Sequence, residues 1–255
     1  MADPGAAAQG VAAQAVADRL SMIPPAVIEY WQQAFGSGRC VFDDGRVSLR
    51  SDESLGETYV MILTRRDGTA AVAIAPALAR RTGLSDTTPM RIAAIRARLS
   101  EHGIRLHDPD HLFYRVPSPG RSSGQHTVRR LGPGDRHAFE QFRDAASAQD
   151  MDAAWVEFDH PVVFGGFDGD RIVCAASMLR WHESPLGDLG VLTLPEARGR
   201  GLGRAVVGAI ADHAVESGLE PQYRCQTDNL ASIALARSAG FESLGEWEVI
   251  RTPHD

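Results

Sequence analysis

The sequence predicts an α+β protein built on a mixed sheet with helices on its faces, and three observations predict it. Strand-like apolar runs and helical stretches follow one another in both halves of the 255-residue chain. A run of proline, glycine and serine, Pro117-Ser118-Pro119-Gly120-Arg121-Ser122-Ser123-Gly124, separates those halves. In the second half, the apolar run Leu189 to Leu194 passes through the glycine-rich turn Arg198 to Gly203 into the periodic stretch Ala205 to Ser217. The division reads as an amino-terminal α+β domain at 1–117, a linker at 118–125 and a second domain at 126–255.

The elements follow in order. An alanine-rich helix is expected near Val11 to Leu20, and a second from Ala26 to Phe35 behind Pro24-Pro25. The runs Thr58 to Leu63 and Thr69 to Ala75 read as a hairpin, because Arg65-Arg66-Asp67-Gly68 places Asp-Gly between them. Pro89 to Ser100 reads as a helix with Thr88 as its N-cap, followed by a short strand, Leu112 to Val116. Beyond the linker come a strand at His126 to Leu131 and a helix at Asp135 to Gln149. A hairpin of Val162 to Phe167 with Arg171 to Arg180 turns at Asp168-Gly169-Asp170. The strand, glycine loop and helix just described follow. A strand at Tyr223, a helix behind Asn229 and a last strand opening at Phe241 complete the pattern.

A strand that ends in a glycine loop and feeds a helix directs several backbone N–H groups and the positive end of the helix dipole at one point, which suits phosphate. The usual nucleotide loops are excluded. No lysine occurs in the chain, so a Walker loop is absent, and Gly199-Arg200-Gly201-Leu202-Gly203-Arg204 lacks the third glycine of a dinucleotide fingerprint.

Composition sets outer bounds. Hydrophobic content of 44% and charged content of 23% are those of an ordinary globular protein. A net charge of −7 argues against general affinity for nucleic acid or anionic membrane, and the four tryptophans are dispersed rather than arranged as a stacking platform. Cys40, Cys174 and Cys225 have neither metal nor disulfide spacing and suit a reducing compartment. The amino-terminus lacks a signal-peptide pattern, and the longest apolar run, Ala70 to Ala75, is too short to span a bilayer. A cytoplasmic location is expected. His102, His107 and His111 with Asp108 and Asp110 match no common ligand spacing, so no metal is expected.

Arg198-x-x-Gly201-x-Gly203 resembles the pyrophosphate signature of the GNAT superfamily of acyl-CoA N-acyltransferases. Gly187 to Glu196 is similar to that family's fourth strand with its Pro-Glu exit, and Tyr223 to Asn229 to its fifth. Asn229-x-x-Ser232-x-x-Leu235 and Ala239-Gly240-Phe241 are similar to its Asn-led helix and the strand after it. The resemblance covers roughly 126–255. It implies a GNAT acyltransferase fold preceded by a smaller α+β domain. Some two-domain members pair a degenerate half with an active one; by that resemblance the amino-terminal half is such a remnant, shaping the acceptor site or a homodimer interface.

The resemblance further implies transfer of an acetyl group from acetyl-CoA to a primary amine of a small molecule or protein, through a tetrahedral intermediate. The N–H groups of Gly199, Arg200, Gly201, Leu202, Gly203 and Arg204 would hold the pyrophosphate, with Arg198 and Arg200 adding charge-assisted bonds. The edge of Leu192, Thr193 and Leu194 would pair with the pantetheine arm, the Leu194 N–H would face the oxyanion, and Asn229 would bond the arm. Asp188 and Glu157 are the candidate bases; each reads equally as a solvent-exposed carboxylate at a strand end. His160 and His182 are further candidates for that base that read rather as loop histidines. Many members carry a tyrosine where this chain has Ala236, which leaves Ser232, one turn earlier, as the hydroxyl nearest the departing sulfur. Tyr223 is another substitute for that tyrosine as the acid, read by preference as a packed strand aromatic, and Cys225 reads as a core thiol. Glu157, Asp159, Glu183 and Asp188 would suit a cationic acceptor. The alternative is a non-catalytic acyl-CoA-binding regulatory module.

Overall fold

The computed structural model describes residues 22–56, 59–116 and 127–250. The expected helix at Val11 to Leu20 and the 118–125 linker lie outside the described residues.

In the first half, α1 (Pro25–Gly36) starts on a proline and buries Val27, Trp31 and Phe35 on one stripe. Two short strands that the sequence reading did not include, β1 (Arg39–Asp43) and β2 (Val47–Ser51), follow. β3 (Val60–Arg65) and β4 (Ala70–Ile74) form the expected hairpin, with Asp67 Oδ1 accepting from the Thr69 N–H across the turn. Next come α2 (Pro76–Arg81), α3 (Ile92–Glu101) and β5 (Asp110–Arg115). Thr88 does not cap α3. The helix begins later, behind Arg91, with no side-chain cap.

In the second half, β6 (Thr127–Arg130) is followed by two helices where one was expected, α4 (Arg136–Ala145) and α5 (Ala148–Ala154). The break has a local cause: Ser147 is extended and its hydroxyl accepts from the Asp150 N–H, capping a new helix. Then β7 (Val162–Asp168), β8 (Arg171–Arg180), β9 (Leu186–Thr193), α6 (Leu202–Glu216), β10 (Glu220–Gln226), α7 (Leu230–Ser238) and β11 (Phe241–Val249) follow the expected order.

The eleven strands of the described residues join one mixed sheet in the order β1-β2-β4-β3-β11-β5-β10-β9-β8-β7-β6. β5, from the first half, lies between β10 and β11 and is antiparallel to both. Arg96 of α3 also grips the buried Glu248 of β11, so the two halves share backbone and side-chain bonds. Alternation along the strands fixes the faces. Leu112, Tyr114, Leu186 and Trp247 pack under α1 on one face. Ile62, Val72 and Leu49 pack under α3 on the other, where α6 and α7 also lie.

Among these pairings, one decides the site. β9 and β10 run parallel and pair only from Leu186↔Glu220 to Leu189↔Tyr223, although β9 continues to Thr193 and β10 to Gln226. Beyond Leu189 the strands part.

Candidate active site

The parting leaves one edge of β9 without a strand partner. Leu194 donates its N–H to the Val173 carbonyl at 2.9 Å, and the Trp181 N–H meets the Leu186 carbonyl at 2.9 Å, so the even-numbered residues of this segment bond to β8. By the alternation of an antiparallel ladder, the N–H groups of Val191 and Thr193 point into the gap. This corrects the expectation for Leu194: its N–H is committed to β8, and the oxyanion donors on offer are those of Val191 and Thr193.

From Thr193 the chain turns through Pro195–Ala197 into the glycine loop. Gly199 and Gly201 sit at φ 74° and 81°, a region that side chains with a Cβ disfavour, and Gly201 is the N-cap of α6. The first helical bond is from the Ala205 N–H to the Gly201 carbonyl. The N–H groups of Leu202, Gly203 and Arg204 therefore have no partner within the helix and point out of its positive end.

Gap and loop open into one cavity of about 860 Å³. Val191, Leu192 and Thr193 line one wall, the loop from Arg198 to Arg204 the end, and Tyr223, Asn229 and Ser232 the other wall. Ala153 and Ala154 of α5 close the top. An elongated ligand with an anionic end and an amide-bearing arm fits these donors.

Residues 134–241 match the model of the acetyltransferase (GNAT) family. Residues 134–241 thus form a GNAT acetyltransferase domain within the chain. Two curated relatives align with part of the chain. An uncharacterised protein of Mycobacterium leprae is 37% identical over 84 residues, 32% of this chain and 23% of that protein. An uncharacterised N-acetyltransferase of Bacillus subtilis is 34% identical over 88 residues, 34% of this chain and 33% of that protein. The aligned stretches thus span a third or less of those relatives. Among solved structures, a GNAT-family acetyltransferase from Colwellia psychrerythraea is 17% identical over 62% of each chain with a TM-score of 0.48. A GCN5-related N-acetyltransferase from Sphaerobacter thermophilus is 18% identical over 77% of this chain and 60% of that one, with a TM-score of 0.47.

Within the GNAT domain, the loop arginines are tethered. Arg198 donates to the Thr193 carbonyl at 3.0 Å and reaches Asp150 at 3.3 Å, while Arg200 pairs with Asp168 at 2.7 Å. These side chains are about half exposed, so the pairs are weak and exchangeable for phosphate. Asn229 uses its Oδ1 to cap α7, accepting from the Ser232 N–H at 3.0 Å, which leaves its amide NH₂ for a ligand. Ser232 lines the cavity, and its hydroxyl meets that of Tyr223. Burial pushes the Tyr223 hydroxyl up to about 12 against the opposing effect of that hydrogen bond, so it is a protonated donor at neutral pH. Tyr223 is therefore a cavity-lining phenol as well as a packed aromatic in edge contact with Phe113 and Phe241. Cys225 is half-buried, and burial holds its thiol up at about 12, outside the reactive range.

Asp188 stands at the start of β9 as expected, yet it is not a free carboxylate. It is 6% exposed. Arg224 of β10 reaches both of its oxygens, at 2.9 to 3.3 Å, and Gln222 Nε2 donates to Oδ1 at 3.0 Å. Arg224 also bonds Asp110 at 3.4 Å and stacks over Trp181, 4.5 Å from the ring centre. Trp31, Tyr114 and Gln222 continue this chain of hydrogen bonds beneath α1. Burial raises the Asp110 carboxyl above its usual range despite the adjacent Arg224. Sequence reading missed Arg224, Gln222 and Tyr114, because polar residues in three different strands carry no local signature.

Glu157 is exposed, and what it contributes locally is its backbone N–H, which donates to Ser177 Oγ at 3.1 Å. Among the described residues no group of three or more His, Cys, Asp or Glu is placed to hold a metal, and no helix is long and apolar enough to cross a membrane.

Proposed function

We propose that this protein transfers an acetyl group from acetyl-CoA to a primary amine. The observation that carries the reading is the union of the unpaired β9 edge and the glycine-loop helix terminus in one cavity. The pyrophosphate would bond the N–H groups of 199–204, with Arg198, Arg200 and Arg204 adding charge. The pantetheine amides would pair with the open edge at Val191 and Thr193 as an added strand, and one of those N–H groups would polarise the thioester carbonyl. Tyr223 and Ser232 supply hydroxyls at the wall where the sulfur departs. The amine would approach from the opposite face of the sheet, past the exposed Glu157, whose charge favours a cationic acceptor.

The test is thiol release from acetyl-CoA across a panel of small amines and amino-terminal peptides, with Gly201→Glu beside the wild type. Release that needs one amine class and vanishes in the variant supports the reading and names the acceptor. Cofactor binding that Gly201→Glu abolishes, with no release for any amine, assigns the non-catalytic acyl-CoA-binding alternative instead.

A further inference from the structure

We propose that His160 is the general base that receives the proton of the acceptor amine; this rests on the acetyl-transfer reading above. The imidazole is anchored on β8, beside the fork of β9 and β10. Its Nδ1 lies 2.8 Å from Ser177 Oγ, and Ser177 is fully buried on β8. Ser177 stands opposite Gly190 in the β8–β9 ladder, and Gly190 is the first β9 residue beyond the last pair with β10. His160 therefore stands over the level at which the cavity begins.

Two backbone features hold it there. A Cβ on Gly190 would lie 2.1 Å from the Ala154 carbonyl oxygen, so only glycine lets the end of α5 settle onto β9 at this point. The next residue, Trp155, is a left-handed C-cap at φ 48°, an uncommon and strained conformation for a bulky residue. Its half-exposed ring meets the His160 ring edge-on at 5.4 Å. Ala154 lines the cavity, so the left-handed residue stands immediately behind a cavity wall and the imidazole packs against it.

In the tautomer a base requires, Nδ1–H donates to Ser177 Oγ, which also accepts the Glu157 N–H, and Nε2 keeps its lone pair. The neutral amine attacks the thioester carbon, the C–N bond forms, and the nitrogen proton passes to Nε2. The C–S bond breaks with its electron pair on sulfur. The thiolate takes a proton, and the imidazolium releases its own to water. Burial holds the imidazole below its usual range, so the neutral form prevails at pH 7. The charged groups facing it oppose that shift: Glu157, Asp159, which is paired with Arg136, and Asp188, which is paired with Arg224.

The experiment compares full-length wild type, His160→Gln, Ser177→Ala and Glu157→Gln with the amine that supports release. For His160→Gln, kcat is expected to fall about 10²- to 10⁴-fold. Its acetyl-CoA affinity by calorimetry stays within about threefold. The wild-type rate climbs through a midpoint below about pH 6.5. That limb disappears in His160→Gln and shifts to lower pH in Glu157→Gln, because a charge that raises the imidazole is removed. Ser177→Ala loses about tenfold in kcat and keeps the limb. An active wild type whose His160→Gln variant retains rate and limb overturns the inference alone, as does parallel loss of cofactor affinity and rate. A wild type that binds acetyl-CoA and acetylates no amine overturns the transfer reading and this inference with it. Should His160→Gln fail to fold, the wild-type imidazole titration by NMR decides: a midpoint that stays above about pH 7, or is unmoved by the amine, overturns it.

Discussion

The two faces of the sheet at the fork of β9 and β10 hold charge in opposite ways. On the cavity face, Arg198 and Arg200 are half exposed and lean on Asp150 and Asp168. On the opposite face, Asp188, Arg224, Gln222 and Asp110 are bonded to one another between tryptophan rings, and the side chain of Asp188 is 5% exposed. Exposed pairs are cheap to exchange for a ligand, whereas a buried pair cannot part without stranding a charge. The first arrangement is suited to binding. The second is suited to architecture, because Asp188 lies on β9 and Arg224 on β10, and the backbone pairing between those strands stops at Tyr223. The ion pair clasps two strands where they begin to diverge, and Asp110 ties in β5 as a third.

Breaking that clasp has the largest expected effect on stability. Arg224→Met removes the partner of a buried carboxylate and is expected to destabilise the fold by about 3–5 kcal/mol in urea unfolding. Adding Asp188→Asn to it removes the stranded charge and should recover part of the loss, a coupling that a double-mutant cycle reads directly. A single-variant loss no larger than that of an exposed ion pair would mean that the cluster is solvated, and would return Asp188 to the list of free carboxylates.

The hydroxyl pair sharpens the comparison from the cavity side. Tyr223→Phe keeps the edge contacts with Phe113 and Phe241 and removes only the donor next to Ser232. The kcat for thiol release is expected to fall about 10- to 100-fold, with little change in acetyl-CoA affinity. The loss stays at the modest end because a thiol with a pKa of about 8.5 leaves tolerably as its anion. A KM effect with unchanged kcat would confine Tyr223 to shaping the wall.

The same contrast explains what the sequence made legible. The glycine loop, the strand before it and the Asn229 helix are local: each is a run of neighbours whose chemistry is set by backbone geometry, and the structure has each where the pattern pointed. The helix break at Ser147 was missed because periodicity continues across it while one hydroxyl cap decides the boundary. The β1 and β2 strands were missed because five-residue strands with polar alternate positions look like loop. The place of β5 between β10 and β11 is a pairing between halves, with no signal in either run. The fork cluster and the Ser177 contact of His160 are non-local for the same reason. Leu194 shows a finer limit: the segment was right, but which N–H points outward depends on ladder parity, and that requires the register with β8.

The smallest expected effect tests whether the exposed arginines are held loosely, as binding requires. Arg200 donates to Asp168, and that hydrogen bond holds the Asp168 carboxyl below its ordinary range. Whatever stability the pair gives is present above the ordinary carboxylate range and lost as pH falls through the lowered value. Asp168→Ala should leave the unfolding midpoint at neutral pH unchanged, since both partners lie in solvent. It should tighten acetyl-CoA binding by about two- to threefold at low salt, because the carboxylate competes with phosphate for the guanidinium, and the gain should shrink as salt rises. Weaker binding in this variant would show that Asp168 positions Arg200 for the phosphate rather than competing for it, and the loop would then resemble the clasp on the other face more than its exposure implies.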